Sequence, residues 1–333
     1  MHRLSLRFEH LLPHGATLAL VALAACASAA PVVRPSLKPA GMANDIAYLT
    51  STALAGRAAG TAGNDSAAVF LARRHQALGL RGAFQDVCAT GVACGVSYFQ
   101  YFANDEIKGH NIGAFIRGSD PDFFREFVVV GAHYDHLGRS PQFALDPELL
   151  VSIRPGADDN ASGTAALLEL ARRLAASPPP RSVLIVHFDA EEWDLAGSRA
   201  FVLQPPVPAS AIVFMLNLDM VGRLRGRDLL IDGSVADLPT RALADSVARA
   251  VGVAASRTSF TEGRSDHAAF AALNVPALSL TSGFHADYHR VSDVASRIDL
   301  PGLARVVDVA EGIVRAAATR MWLPRQTSSI ANR

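Results

Sequence analysis

SVLIVHFDAEEWDLAGS, residues 182–198, is the stretch on which the reading of this chain turns. Its first seven residues, Ser182 to Phe188, form an apolar run of strand length. A run with no polar face belongs to a strand covered on both sides, as in the parallel sheets of α/β proteins. The run then ends in Asp189, Glu191 and Glu192. Adjacent carboxylates repel, and carboxylates near a core are costly to desolvate. In the bland explanation one glutamate is solvated and the other caps the next helix. In the other, neighbouring cations offset the repulsion, one glutamate binding metal and its neighbour acting as a base.

Working outward, strands and helices alternate. Phe127 to Ala132 reads as a strand and runs straight into His133-Tyr134-Asp135-His136. Ala161 to Ala176 reads as a helix, stopped by Ser177-Pro-Pro-Pro180. Ala211 to Leu218 is a second apolar strand, ending at Asp219, and Pro276 to Thr281 a third. Asn64 to Leu78 has apolar residues at helical spacing and ends at Gly79, a C-cap residue. Ser97 to Ala103 and Asn111 to Ile116 read as strands; Ser198 to Leu203, Thr240 to Val251 and Leu303 to Ala318 read as helices. The expected fold is a three-layer α/β/α arrangement around a mixed, mostly parallel sheet. No Pro/Gly-rich linker interrupts residues 41–320, so they are expected to form one domain. Ligands of such sheets sit beyond the carboxyl ends of the strands. His133, Glu191 and Asp219 each follow the last apolar residue of a strand and would meet at that edge.

Composition narrows the function classes. The 333 residues are half apolar, with 31 basic and 31 acidic side chains. That balance, with no basic stripe and no repeats, argues against nucleic acid as a partner. The N-terminus has Arg3 and Arg7, then an apolar stretch from Ala16 to Ala25 that is too short to span a bilayer. Residues 1–26 read as a secretory signal. Leu23-Ala24-Ala25-Cys26 resembles a bacterial lipobox, which would anchor the protein in a membrane through a lipidated Cys26. Cleavage after Ala27 or Ala29 would instead leave a soluble chain. The expected location is the cell envelope, as an outer-membrane lipoprotein or a periplasmic protein, or the exterior. Residues 27–40 look like a tether and 321–333 like a tail. Export makes a local disulfide between Cys88 and Cys94 plausible, against two free thiols.

The remaining polar motifs fit one chemistry. His133 and Asp135 lie two apart on one side of an extended segment, as a histidine ligand and the carboxylate that orients it. Asp158-Asp159-Asn160 leads into a helix, where capping by Asp159 or Asn160 is the simple alternative. Asp219 ends a strand, and His289 is followed by Asp293. Each piece alone is weak. Together, imidazoles and carboxylates at one sheet edge suit Zn²⁺, and also Mn²⁺ or Co²⁺. Two ions about 3.5–4 Å apart would need a shared carboxylate and a nearby base.

In this order and spacing, GAHYDHLG (131–138), GADDNASG (156–163), DAEEWDLAGS (189–198), LNLDMVG (216–222), SDHAAF (265–270) and YHRVSD (288–293) resemble the M28 family of zinc peptidases. Two further stretches, LAGRAAGTAGNDSAAVFLARRHQALGL (54–80) and GHNIGAFIRG (109–118), are similar to that family's lead-in. The resemblance covers roughly residues 45–315. It implies a zinc-peptidase/phosphorylase-like fold and an aminopeptidase acting on peptides with a free N-terminus through two zinc ions. Carried over, it implies that His133 and Asp219 hold one zinc, Glu192 and His289 the other, and Asp159 bridges both. Glu191 becomes the general base, Asp135 the support of His133 and Asp293 that of His289. A glutaminyl-cyclase-like single-zinc acyltransferase and a carboxypeptidase or dipeptidase of the same clan are the alternatives. His136 either supports a ligand or lies on the surface, and His187 reads as a core histidine. Asp266 and His267 are expected to support ligand loops; His285 falls on a site loop, with substrate contact the lesser of its two readings. Ser162 and Ser265 lack a Gly-x-Ser-x-Gly elbow, which excludes a serine nucleophile. Residues 140–155 are expected to frame the pocket, with Phe143, Leu145 and Leu149 lining it.

Overall fold

Strands without a polar face need cover on both sides, and that need builds this molecule. The computed structural model describes residues 39–87, 93–233, 238–258 and 264–319. The signal segment, most of the tether, the tail and the Cys88–Cys94 pairing lie outside the described residues.

In chain order the strands are β1 (Arg81–Gly82), β2 (Phe84–Val87), β3 (Ala93–Ser97), β4 (Phe99–Ala103), β5 (Lys108–Ile116), β6 (Phe127–His133), β7 (Ser182–Phe188), β8 (Ile212–Leu218), β9 (Leu229–Asp232), β10 (Ala255–Thr258) and β11 (Ala277–Thr281). The helices are α1 (Pro39–Leu49), α2 (Ala62–Ala77), α3 (Gly163–Ala176), α4 (Ala196–Leu203), α5 (Leu238–Val251), α6 (His267–Ala271) and α7 (Leu300–Ala317). The main sheet runs β1-β5-β7-β6-β8-β11-β9-β10, with β4 on β5, and β2 and β3 form a separate hairpin. Its centre, β7-β6-β8-β11, is parallel. The antiparallel pairs lie to either side, at β5–β7, β4–β5, β1–β5 and β9–β11.

Every residue of β6 and β7 is buried, as their composition demands. One face carries Val128, Val130 and Ile185 against α1, α3, α5 and α7. The other carries Val129, Leu184 and Met215 against Phe201 of α4 and Phe270 of α6. The expected three-layer α/β/α fold is therefore present. Gly131 shows how tightly the second face is packed, because a Cβ there would lie 2.4 Å from the Phe188 ring. His187 is a core histidine: its Nε2 lies 3.0 Å from that of His75 on α2, both rings fully buried.

Register sets the site. His133 pairs with Phe188 across β6–β7, and Gly131 with Asn217 across β6–β8. The residues that leave β6, β7 and β8, namely His133, the 189–192 turn and Asp219, thus emerge at one edge. The helix expected from Ala161 starts at Gly163 instead. Before it, Ala157–Ser162 forms an irregular turn with non-helical backbone at Asp159 and Asn160. Side chains hold that turn open: Asn160 Oδ1 accepts from the amides of Gly163 and Met220, and Asn160 Nδ2 donates to the Leu218 carbonyl. Asn160 therefore takes up the first amide of α3, whose N-cap position is Ser162, and the Asp159 carboxylate is left for other work.

Candidate metal centre

The strand ends bring together the residues expected there. His133 Nε2 lies 3.3 Å from Asp159 Oδ1, 3.3 Å from Asp219 Oδ1 and 4.0 Å from Glu191 Oε2. His289 Nε2 lies 3.1 Å from Asp159 Oδ2 and 3.2 Å from Glu192 Oε2. Asp159 thus faces a histidine with each oxygen. All six groups line one cavity of about 370 Å³, together with Phe143, Leu195, Met220, Phe284 and Tyr288.

The turn after β7 gives its three carboxylates different roles. Asp189 is structural: it is buried and accepts from Asn64 Nδ2 and from the amides of His110 and Ala190. Burial, with Asp135 nearby, pushes its pKa up to about 7. Neither glutamate caps α4, whose N-cap is Leu195. Asp135, fully buried, accepts from the Glu191 amide at 3.0 Å and the Glu192 amide at 3.3 Å. It faces His133 Nδ1 at 3.6 Å, beyond hydrogen-bond length. The anticipated support of His133 is therefore a close contact, while the hydrogen bonds of Asp135 go to the two glutamates.

The supporting contacts differ from expectation in other places. Asp293 does not support His289: its Oδ2 accepts from the amides of Asp158 and Asp159 and its Oδ1 from Arg223. His289 is instead oriented by its Nδ1, 2.8 Å from the Phe143 carbonyl. His285 turns its Nε2 to Asp158, 3.0 Å away, and is not among the cavity residues. Of the loop hydrophobics only Phe143 lines the cavity; Leu145 and Leu149 do not. His136 is buried rather than superficial, with Nδ1 2.8 Å from Glu192 Oε1. Asp266 and His267 are buried, and Asp266 is pushed up to about 7 by burial beside the Asp219 and Asp135 carboxylates. Ser265 supports a site residue directly, its hydroxyl donating to Asp219 Oδ2 at 2.8 Å.

Three further residues, Arg57, Asp146 and Arg154, have structural roles that their sequence context does not reveal. Arg57 is fully buried and donates to the carbonyls of Leu49, Tyr134, Pro155 and Gly156, tying the loops behind the site. Asp146 accepts from Arg154 Nε at 2.7 Å and from the Val291 amide at 2.8 Å. The Leu145 amide donates to the His289 carbonyl at 3.0 Å. An arginine in a loop carries no signal that it will be buried, so these ties are invisible in the sequence.

The donor set fits divalent metal ions. The Phe143 carbonyl can only accept, so a neutral His289 carries its proton on Nδ1 and turns the lone pair of Nε2 inward. That atom and Asp159 Oδ2 are buried without a hydrogen bond, 3.1 Å apart. Only a cation between them, a proton or a metal ion, relieves the opposition of lone pairs. In the metal-free chain protons do so. Burial lowers the His289 pKa, but Asp159 and Glu192 outweigh it and lift it to about 11. Burial likewise opposes a charge on His133, yet Glu191 and Asp219 hold it well above its ordinary value. Burial and Asp159 raise Glu192, but His136 and His289 bring it down to about 2. Glu191 goes the other way: burial, with Asp219 and Glu192 beside it, pushes it well above the usual carboxylate range despite His133. Two geometric groups of donors stand out, His133–Glu191–Asp219 and His136–Asp159–Glu192.

An α/β/α layer structure with histidines and carboxylates gathered at the carboxyl edge of its sheet is an α/β protein with a donor set able to hold metal ions. The sequence model of peptidase family M28 matches residues 111–314. The chain belongs to that family. It is 37% identical to Aminopeptidase YwaD of Bacillus subtilis (strain 168) over 100 residues, 29% of this chain and 18% of that protein. It is 30% identical to Probable lipoprotein aminopeptidase LpqL of Mycobacterium tuberculosis (strain ATCC 25618 / H37Rv) over 213 residues, 53% of this chain and 39% of that one. The chain spans less than two thirds of the curated relatives it matches. Among solved structures it superimposes on BSAP, a zinc aminopeptidase from Bacillus subtilis, with TM-score 0.68 at 18% identity, over 86% of this chain and 97% of that one. At that identity the likeness concerns the fold.

Proposed function

We propose that this chain is an exported, zinc-dependent aminopeptidase that removes residues from peptides with a free N-terminus. The observation that carries the reading is Asp159, with Oδ1 3.3 Å from His133 and Oδ2 3.1 Å from His289. A carboxylate reaching two histidines supports a shared ligand for two ions. In this reading His133, Asp159 and Asp219 hold one zinc, and Asp159, Glu192 and His289 the other. Mn²⁺ or Co²⁺ suits the same donors. Zinc held there supplies Lewis-acid polarisation of a carbonyl and lowers the pKa of water.

The chain's own groups do the rest. Glu191 takes the proton of the attacking water on its carboxylate and passes it to the departing amine nitrogen, returning to its starting state. Asp135 positions it through the backbone amides of the 191–192 turn. The His136 hydrogen bond fixes the orientation of Glu192, and the Phe143 carbonyl fixes the ring of His289. Residues 1–26 direct export, with Cys26 as a lipid anchor; the name of the M. tuberculosis relative supports that part.

The test uses the purified mature chain and short peptides with free or acetylated N-termini, before and after chelation and zinc return. Loss of single residues from free N-termini only, abolished by chelator and restored by zinc, is expected. Equal cleavage of acetylated peptides, or cleavage indifferent to chelator, overturns the reading.

A further inference from the structure

We propose that Arg264 makes this site selective for peptides that carry a carboxylate, either the C-terminus of a very short peptide or an acidic side chain. The inference rests on the peptidase reading above and names its substrate class.

Arg264 lines the cavity and is exposed. Among the described residues it has no hydrogen-bond or ion-pair partner. Among the described residues, the acids that line the cavity are accounted for. Asp194, also at the cavity, is taken by Arg199, with one contact at 3.0 Å and a second that is shorter. Asp159, Glu191, Glu192 and Asp219 surround the histidines, and their four negative charges are what two divalent ions would neutralise. Among the described cavity residues the guanidinium of Arg264 is then the charge left over, and a cavity with a surplus cation favours an anionic ligand.

The backbone beside it is anchored. The next residue, Ser265, is buried, donates to Asp219 Oδ2 at 2.8 Å and accepts from Asn217 Nδ2 at 2.7 Å. The Cα of Arg264 is therefore about 3.8 Å from that of a residue bonded to the metal-centre carboxylate. The His289 side is aromatic instead. Tyr288 stacks on His289 with ring centroids 3.7 Å apart, and Phe284 meets Tyr288 at 4.4 Å. The cavity is thus lined by aromatic rings and, among the described residues, by one guanidinium. Its 370 Å³ lies near the small limit of ligand pockets, about 300–1,000 Å³, which suits a short ligand. A guanidinium pairs with a carboxylate through two parallel N–H donors, which an ammonium cannot reproduce.

The experiment measures kcat/KM of the zinc-loaded mature chain for two substrate pairs. Leu-Ala against Leu-Ala-amide reads a C-terminal carboxylate; Leu-Asp-amide against Leu-Asn-amide reads an acidic side chain. The expected result is a preference for the charged member of at least one pair, about fivefold or more at low salt, carried by KM. In Arg264→Gln that ratio falls to near one, and Arg264→Lys restores part of it. The pair that shows the preference identifies the source of the carboxylate. A ratio near one for both pairs in the wild type, or a preference that survives in Arg264→Gln, overturns the proposal. If no peptide is cleaved, the peptidase reading fails by itself. Calorimetric binding of the same pairs to the Glu191→Gln chain, with and without Arg264→Gln, then tests Arg264 independently of turnover. A charged-over-neutral affinity ratio that Arg264→Gln abolishes supports the proposal, and a ratio it leaves unchanged overturns it.

Discussion

The two halves of the proposed metal centre are built differently. His133 and Asp219 leave the ends of β6 and β8, so sheet register places them. His289 sits in a loop with φ of +55°, a left-handed conformation uncommon outside glycine. It is held by the Phe143 carbonyl, the Leu145 amide and, two residues on, Asp146 with its Arg154 partner. One half is positioned by backbone pairing in the core, the other by polar ties between two loops. The loop half should therefore be the easier one to damage from a distance.

The largest expected effect touches neither half's framework. Glu191→Gln should keep the fold and bound zinc while turnover falls about 10²- to 10⁴-fold, the usual contribution of a positioned acid–base group. Steady-state kinetics beside elemental analysis checks this, and near-normal turnover would remove Glu191 as the base. The next effect separates the halves. Asp146→Asn should weaken one zinc site by roughly ten- to a hundredfold, as loss of an outer support does, and leave the other bound. Competitive chelator titration reads the two sites separately. Equal weakening of both would mean that the two halves are held alike.

Acid should act on the strand half's foundations. Burial keeps His75 near a pKa of about 3, and burial with His75 beside it holds His187 well below its ordinary value. Both are thus depressed in the folded state relative to about 6.5 when unfolded. The unfolded chain binds the extra protons, so this stability is fully present above about pH 6.5 and is lost as pH falls towards the folded values. One such histidine costs about 2 kcal/mol by pH 5. Urea midpoints at pH 7 and pH 5 should differ accordingly, and a His75→Phe variant should show a shallower slope. The smallest effect is expected for Ser265→Ala, which removes one hydrogen bond to Asp219 but leaves it at its strand end. Zinc affinity should fall only a few-fold, at about 1 kcal/mol for the bond. A loss as large as that of Asp146→Asn would mean that strand ends give no extra security.

The same contrast governs what can be read from residues alone. Apolar runs announce buried strands, and polar residues directly after them announce an edge, so His133, Glu191, Glu192 and Asp219 are legible together with the layered fold. Asp159 is recognisable through its motif but not through its backbone, because the turn at 157–162 is held by side chains of distant segments. The partners of His289 escape the sequence for the same reason. Asp293 is four residues from it in sequence, yet it bonds the amides of Asp158 and Asp159. The four-residue strands β9 and β10, at one end of the sheet, carry too little apolar pattern to be seen. Arg57 and Arg154, fully buried, contradict the ordinary expectation that arginine faces water.

The central claim is that the two halves bind two ions through one shared carboxylate. Elemental analysis of the mature chain, equilibrated with buffered zinc and then freed of excess, tests it most directly, with Asp159→Ala alongside. Two zincs per wild-type chain and a marked loss from Asp159→Ala are expected. A wild-type chain with no zinc or a single one, or an Asp159→Ala chain that keeps both, would contradict it.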